Sequence, residues 1–193
     1  FMDRFSNTTR EVAQNGRRGA LMLLIDCRHP DVFHFVKKKE DLTKVTGANV
    51  SVMLTDKFME AVIKDEKFSC SFPIDVTTPF DLEFRAKELY DLIVEMAWKN
   101  GEPGVAFIDR ITDYSPEGVY ERYRAIASNP CGEQWMNAYD ACRLLAANLY
   151  SLVENPFTSN ATFNPKLAYE VFYMQQRMAD NIVSLELEYI NRI

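Results

Sequence analysis

The side chains best suited to chemistry lie in one short run, Asn129-Pro130-Cys131-Gly132-Glu133. If this run is extended, alternate residues share one side, so an amide, a thiol and a carboxylate project together from Asn129, Cys131 and Glu133. These three groups could bind and act on one small molecule, while Pro130 stiffens the backbone and Gly132 allows a ligand to approach closely. The alternative, on these residues alone, is a turn that holds an inert, buried cysteine.

The composition excludes several classes of protein. With 193 residues, the chain is long enough for one large domain or two small ones. Its 22 Lys and Arg against 28 Asp and Glu give a net charge of −6, which argues against a protein that wraps nucleic acid or lies on an anionic membrane. The longest apolar run, 20–25, is far shorter than the ~20 residues of a membrane-spanning helix. No signal-peptide pattern follows the first residues, so we expect a cytoplasmic protein without nucleic-acid or membrane partners.

The cysteines do not form a metal-binding pattern. Cys27, Cys70, Cys131 and Cys142 include no C-x-x-C pair, and the chain has only 2 histidines. We therefore expect free thiols in a reducing compartment and no metal site.

The order of predicted elements is typical of an α/β fold. Short apolar runs predict buried strands at 20–25, 49–54 and 105–108. Apolar residues at helical spacing predict helices from Pro30, from Thr55 or Asp56, over 81–99 and over roughly 165–190, with a loop at 112–117. Alternating strands and helices predict a mainly parallel sheet with helices packed against it. Three predicted strands are too few to close a barrel. We therefore expect the chain to be part of a larger structure.

The run 129–133 matches the finger-loop signature of the large catalytic subunit of ribonucleotide reductases, and the chain resembles this family along nearly all of its length. The other matching blocks follow the family's order at 16–20, 29–31, 49–52, 55–59, 102–110 and 177–181. The resemblance implies that 1–193 is a partial catalytic domain, an internal portion of a ten-stranded α/β barrel with a cysteine-bearing finger loop.

The resemblance also implies a radical mechanism that reduces ribonucleoside diphosphates or triphosphates to 2′-deoxyribonucleotides. Cys131 would be the transient thiyl radical that abstracts the 3′ hydrogen, Glu133 would take the 3′-OH proton, and Asn129 would orient the ribose hydroxyls. Cys142 would be half of a redox-active dithiol that a thioredoxin- or glutaredoxin-like protein reduces again, its other half lying outside this chain. Substrate contacts are implied along the whole loop, at Ser128, Asn129, Pro130, Cys131, Gly132 and Glu133.

Two details resemble the adenosylcobalamin-dependent class II enzymes, which implies adenosylcobalamin as cofactor. They are the short spacing from Cys131 to Cys142 and the sequence Thr-Gly-Ala-Asn at 46–49. One alternative is a class I reductase, whose radical arrives from a separate metal-containing subunit. Another is a non-catalytic half-barrel, active only when the rest of the barrel or a homodimer partner complements it.

A second loop, 14–19, combines two glycines with two arginines. Glycines give a mobile backbone, and arginines can bind phosphate or stack on a base. The resemblance implies a specificity loop in which Gln14, Arg17 and Arg18 respond to a deoxynucleotide effector. A solvated basic turn is the alternative.

Overall fold

The computed structural model describes residues 1–14, 17–74, 76 and 81–192, without the side chains of 13, 14, 17, 18 and 192. The chain divides into two compact units, Phe1–Asp140 and Ala141–Ile193.

In the first unit, helices alternate with short strands. The helices are α1 (Met2–Glu11), α2 (Val32–Val36), α3 (Asp56–Lys64), α4 (Ala86–Asn100) and α5 (Ile108–Tyr114). The strands are β1 (Ala13–Gln14), β2 (Arg17–Arg18), β3 (Met22–Asp26), β4 (Asn49–Leu54), β5 (Lys67–Cys70), β6 (Leu82–Arg85), β7 (Gly104–Phe107), β8 (Ala127–Ser128) and β9 (Trp135–Met136). Turns of 3-10 helix lie at Lys37–Lys39, Pro116–Val119 and Glu121–Tyr123.

The second unit is built around one long helix. It contains a 3-10 turn at Leu149–Leu152, the paired strands β10 (Val153–Glu154) and β11 (Thr162–Phe163), and α6 (Pro165–Arg192). The predicted C-terminal helix is therefore confirmed.

Among the described residues, β3, β4 and β7 form a parallel sheet with β4 in the centre. Leu23 pairs with Val50 on one side, and Val52 pairs with Val105 on the other. The mixed α/β class and the three predicted strands are thus confirmed. Their predicted burial holds only for β4, because β3 is half-buried along its length and β7 is mostly exposed. The sheet does not close into a barrel within the described part of the chain.

The core lies between this sheet and its helices. Val50, Val52 and Leu54 of β4 are at most 2% exposed, and they pack with Phe58 of α3 and Leu89 of α4 in one buried cluster. Burial of such apolar side chains stabilises the fold by about 1.5–3 kcal/mol each.

Local signals set the start of α3 and the end of α4 close to the predicted positions. The Thr55 hydroxyl accepts a hydrogen bond from Phe58 N at 3.1 Å and so caps α3. Gly101, with φ of +76°, ends α4 in the left-handed conformation that glycine adopts at low cost.

Two predicted boundaries are wrong. The helix predicted over 81–99 begins at Ala86, because 82–85 form β6 and pair antiparallel with β5, where Phe68 faces Phe84. The predicted loop 112–117 instead contains the end of α5 and the start of a 3-10 turn. In both places tertiary or local hydrogen bonding overrides a weak sequence preference.

Within the described ranges, no helix is both long and apolar enough to cross a membrane. No group of three or more His, Cys, Asp or Glu side chains there is placed to hold a metal ion.

Candidate functional site

The run 129–133 lies at the tip of a hairpin, which we call the cysteine hairpin (127–136). Its strands β8 and β9 pair antiparallel, with Ser128 opposite Trp135. Gly132 N donates to Asn129 O at 3.0 Å, which closes a β-turn with Pro130 and Cys131 at its centre. The extended conformation considered for this run is therefore not found. The turn does not bury its cysteine either, because Cys131 is exposed.

The cysteine hairpin is closed by its own hydrogen bonds. Asn129 N donates to Gln134 O, and Gln134 N donates to the Asn129 Oδ1, both at 3.0 Å. The Trp135 indole N–H donates to Gly132 O at 3.1 Å. These bonds fix the shape of the tip, and the Asn129 side chain contributes to it directly.

Cys131 borders a cavity of about 500 Å³ between the cysteine hairpin and the parallel sheet. The hairpin contributes Ser128, Cys131, Gly132 and Trp135 to its wall. The predicted substrate-binding residues Ser128, Cys131 and Gly132 thus meet at one cavity whose volume suits a small organic ligand. Asn129 and Pro130 are half-buried at the turn, and Glu133 is exposed.

The opposite wall includes residues that sequence reasoning missed. Ser51 of β4 and its register partner Gly104 of β7 both line the cavity, as does Arg110 of α5. A methyl group on Gly104 would lie 2.7 Å from the Ser51 Oγ, so the glycine leaves room for the hydroxyl. The available signal was Ser51 itself, a polar residue inside the apolar strand 49–54.

A second missed residue contacts the turn. Asn49, the first residue of β4, donates from its Nδ2 to Pro130 O at 2.6 Å. Nothing in the sequence connects these two residues, which are 81 positions apart.

The other predicted residues are not among those that line this cavity. Cys142 is exposed in the second unit, in a segment without regular structure. The backbones of Gln14, Arg17 and Arg18 belong to the β1–β2 pair, with Gln14 opposite Arg17. Their side chains lie outside the described part of the chain.

The remaining cysteines are chemically protected. Cys27 and Cys70 are fully buried, and the Cys70 thiol lies 3.1 Å from Cys27 O. Burial raises the pKa of Cys27 to about 11 and that of Cys70 to about 12. Because the thiolate is the reactive form, both are inert near neutral pH. Cys131 and Cys142 are the exposed thiols of the described residues.

Comparison with known proteins identifies the family of this chain. The family model described as ribonucleotide reductase, barrel domain, matches residues 1–192. A vitamin B12-dependent ribonucleoside-diphosphate reductase of Thermoplasma acidophilum is 35% identical over 155 residues, which cover 79% of this chain and 20% of the relative. A protein of the same name from Mycobacterium tuberculosis is 35% identical over 151 residues, covering 77% and 21%. A vitamin B12-dependent ribonucleotide reductase of Rhodopirellula baltica is 32% identical over 180 residues, covering 80% and 17%. The chain therefore spans about a fifth of the length of these curated relatives.

Proposed function

The chain belongs to the ribonucleotide reductase family, and on that premise we propose that it supplies the thiyl-bearing loop of an enzyme that makes 2′-deoxyribonucleotides. The observation that carries the proposal is the exposed Cys131 on a rigid hairpin beside a cavity of about 500 Å³. The substrate would be a ribonucleoside diphosphate or triphosphate. The chain would form an internal part of the ten-stranded barrel, completed by the rest of the protein or by a second copy.

The reaction begins at the sulfur of Cys131. As a thiyl radical, Cys131 abstracts the 3′ hydrogen, so an S–H bond forms as the C3′–H bond breaks. The step is reversible because the two bonds are similar in strength. Glu133 takes the 3′-OH proton as general base. Asn129, whose Oδ1 is engaged by Gln134 N, has its Nδ2 left to orient a ribose hydroxyl.

Reduction then occurs at C2′. The 2′ oxygen leaves as water, and two electrons come from a dithiol that ends as a disulfide. Cys142 would be one of these thiols, and the other would lie outside this chain. Glu133 then returns its proton to the 3′ oxygen, and Cys131 returns its hydrogen to C3′, so the carboxylate and the thiyl radical are both regenerated. A thioredoxin- or glutaredoxin-like protein would reduce the disulfide by thiol exchange.

The relatives are named vitamin B12-dependent, and we propose adenosylcobalamin as the radical source for this protein too. When bound, the cofactor supplies the radical that takes the hydrogen atom from the Cys131 thiol. The exposure of Cys131 fits that role, since a buried thiol could not be reached. The cavity beside it has the size of a small ligand and not of a corrin, so Cys131 is the point at which the described residues would meet the cofactor.

A deoxynucleotide effector is proposed for the β1–β2 pair. Gln14, Arg17 and Arg18 supply the hydrogen-bonding and cationic groups that bind phosphate or a base. This pair leads directly into β3, which lines the cavity through Met22 and Leu24.

The proposal is tested with the complete gene product, adenosylcobalamin, a dithiol and a ribonucleotide. We expect deoxynucleotide formation that requires adenosylcobalamin and is abolished in Cys131→Ala. Cys70→Ala is the matched control, because Cys70 is buried away from the cavity, and it should retain turnover. Turnover by Cys131→Ala would contradict the proposal. Turnover that instead requires a separate radical subunit would support the proposed reductase activity but contradict adenosylcobalamin as the radical source.

A further inference from the structure

The hydrogen bond from Asn49 reaches the peptide group next to the proposed radical site. Asn49 Nδ2 donates to Pro130 O at 2.6 Å, and this carbonyl belongs to the peptide bond between Pro130 and Cys131. A shift of the carbonyl therefore moves the Cys131 backbone directly. We propose that Asn49 is a positioning residue that anchors this peptide and sets the place of the Cys131 thiol beside the cavity.

The cysteine hairpin has internal hydrogen bonds that hold the shape of its tip independently of Asn49. Asn129 and Gln134 close the tip through two bonds of 3.0 Å, and Trp135 adds a third to Gly132 O. The tip therefore keeps its shape without Asn49. What the Asn49 bond fixes is the placement of the whole tip relative to the parallel sheet.

Asn49 suits this task because its own backbone is held on both sides. Asn49 N donates to Leu21 O at 2.8 Å. Val50 N donates to the Glu102 Oε1 at 2.9 Å, and Glu102 is paired with Lys39. The side chain thus projects from a fixed point, which is what a positioning group requires.

The chemistry of the contact requires a donor. The Pro130 carbonyl can only accept, and the Asn49 amide supplies an N–H. Asp at position 49 has nearly the same size, but its carboxylate can only accept and repels the carbonyl. Gln keeps the donor on a side chain one methylene longer. The pair Asn49→Asp and Asn49→Gln therefore separates loss of the hydrogen bond from a change in length.

The first readout is the reactivity of Cys131, measured in the complete gene product by iodoacetamide labelling and peptide mass spectrometry. Cys142, exposed in the other unit, is the internal reference, and the protein is first reduced with dithiothreitol and desalted so that Cys142 is a thiol in every sample. In Asn49→Asp we expect the labelling rate of Cys131 relative to Cys142 to rise at least about threefold, because the tip is released from the sheet. Asn7→Asp, the same change at an exposed position of α1, should leave the ratio unaltered. A ratio that stays constant or falls in Asn49→Asp overturns the proposal.

The second readout rests on the proposed function. Misplacing a reacting atom by about 1 Å can cost ~100-fold in rate, so kcat of Asn49→Asp should fall about tenfold or more while KM stays within about twofold. Asn49→Gln should recover part of kcat. A fall confined to KM, or equal losses in Asp and Gln, would contradict a positioning role. If the unmodified protein forms no deoxynucleotide, the proposed function fails, and the labelling ratio still decides the role of Asn49.

Discussion

Lys39 and Glu102 form an ion pair at the end of the sheet where β4 begins, with side chains only 13% and 26% exposed. The same Glu102 carboxylate accepts a hydrogen bond from Val50 N. One partly buried carboxylate thus joins the segment after α2 to the start of β4 and to the connection before β7.

Removing the charge of Glu102 should loosen the start of β4. We expect Glu102→Gln to lower the free energy of unfolding by about 1–3 kcal/mol, because Lys39 loses its counter-charge in a partly buried site. Urea unfolding measures the loss, and hydrogen exchange at Val50 N shows whether it is local. The control Glu95→Gln removes an exposed partner of Lys99, which should change stability by less than about 0.5 kcal/mol. Equal losses in the two variants would contradict this assignment.

Alanine substitutions at two glycines with positive φ should have the same effect on stability but different effects on turnover. Gly132 has φ of +83° and Gly101 has φ of +76°, and an added methyl group would meet no atom within 4 Å at either position. Both Gly132→Ala and Gly101→Ala should therefore cost about 1–2 kcal/mol through backbone strain alone. Only Gly132→Ala should lower turnover, since it deforms the turn that presents Cys131. Urea unfolding and steady-state rates provide the two measurements, and similar turnover in both variants would argue against the turn geometry being critical.

Replacing either of the two exposed cysteines should stop the reaction, but at different steps. In Cys142→Ser, Cys131 can still abstract the 3′ hydrogen, but the dithiol that reduces C2′ is incomplete. We expect isotope from a 3′-deuterated ribonucleotide to be lost to the enzyme and solvent without deoxynucleotide formation. In Cys131→Ser we expect neither loss of the 3′ deuterium nor formation of deoxynucleotide. Mass spectrometry of the recovered nucleotide distinguishes the variants, and normal product formation by Cys142→Ser would exclude Cys142 from the dithiol.

Burial of Cys27 should make stability fall at alkaline pH. In the unfolded chain a thiol loses its proton near pH 8.5, whereas the folded protein holds the pKa of Cys27 at about 11. Between these pH values the folded state binds more protons, so stability decreases as pH rises, by up to about 3 kcal/mol at pH 11. The stabilising contribution is complete below about pH 8.5.

The difference between the unmodified protein and Cys27→Ala isolates this effect. Urea unfolding at several pH values from 8 to 11 should give a steeper loss for the unmodified protein. Titrations of groups away from Cys27 cancel in the comparison, and the double variant Cys27→Ala/Cys70→Ala against Cys70→Ala removes the contribution of the neighbouring Cys70 thiol. Parallel curves would show that the Cys27 thiol titrates normally in the folded state.

The sequence predicted the sheet well because its strands carry strong local signals. The apolar run 49–54 coincides with β4, and Thr55 caps α3 as expected. β5 and the 82–85 strand were missed, since each has only four residues and depends on its partner for stability. A short strand paired with another short strand has little pattern of its own to detect.

The site was only partly predictable. The resemblance picked out Cys131, and a turn at 129–133 was the alternative to an extended run. Asn-Pro-Cys-Gly has the residue types favoured at positions of a β-turn, which supports the turn that the structure shows. The cavity wall at Ser51 and the contact from Asn49 arise from pairings between distant segments. Such contacts follow from tertiary packing, which a single sequence does not encode in a local pattern.

The alternation along β4 divides its residues between two tasks. Val50, Val52 and Leu54 point into the core, whereas Asn49 contacts the cysteine hairpin and Ser51 lines the cavity. Because neighbouring residues of a strand face opposite sides, either set can be replaced without crowding the other. A substitution on the cavity side of β4 therefore changes the surroundings of Cys131 while the apolar contacts that hold the helices on the sheet stay in place, so the two faces of one strand are separate targets for engineering.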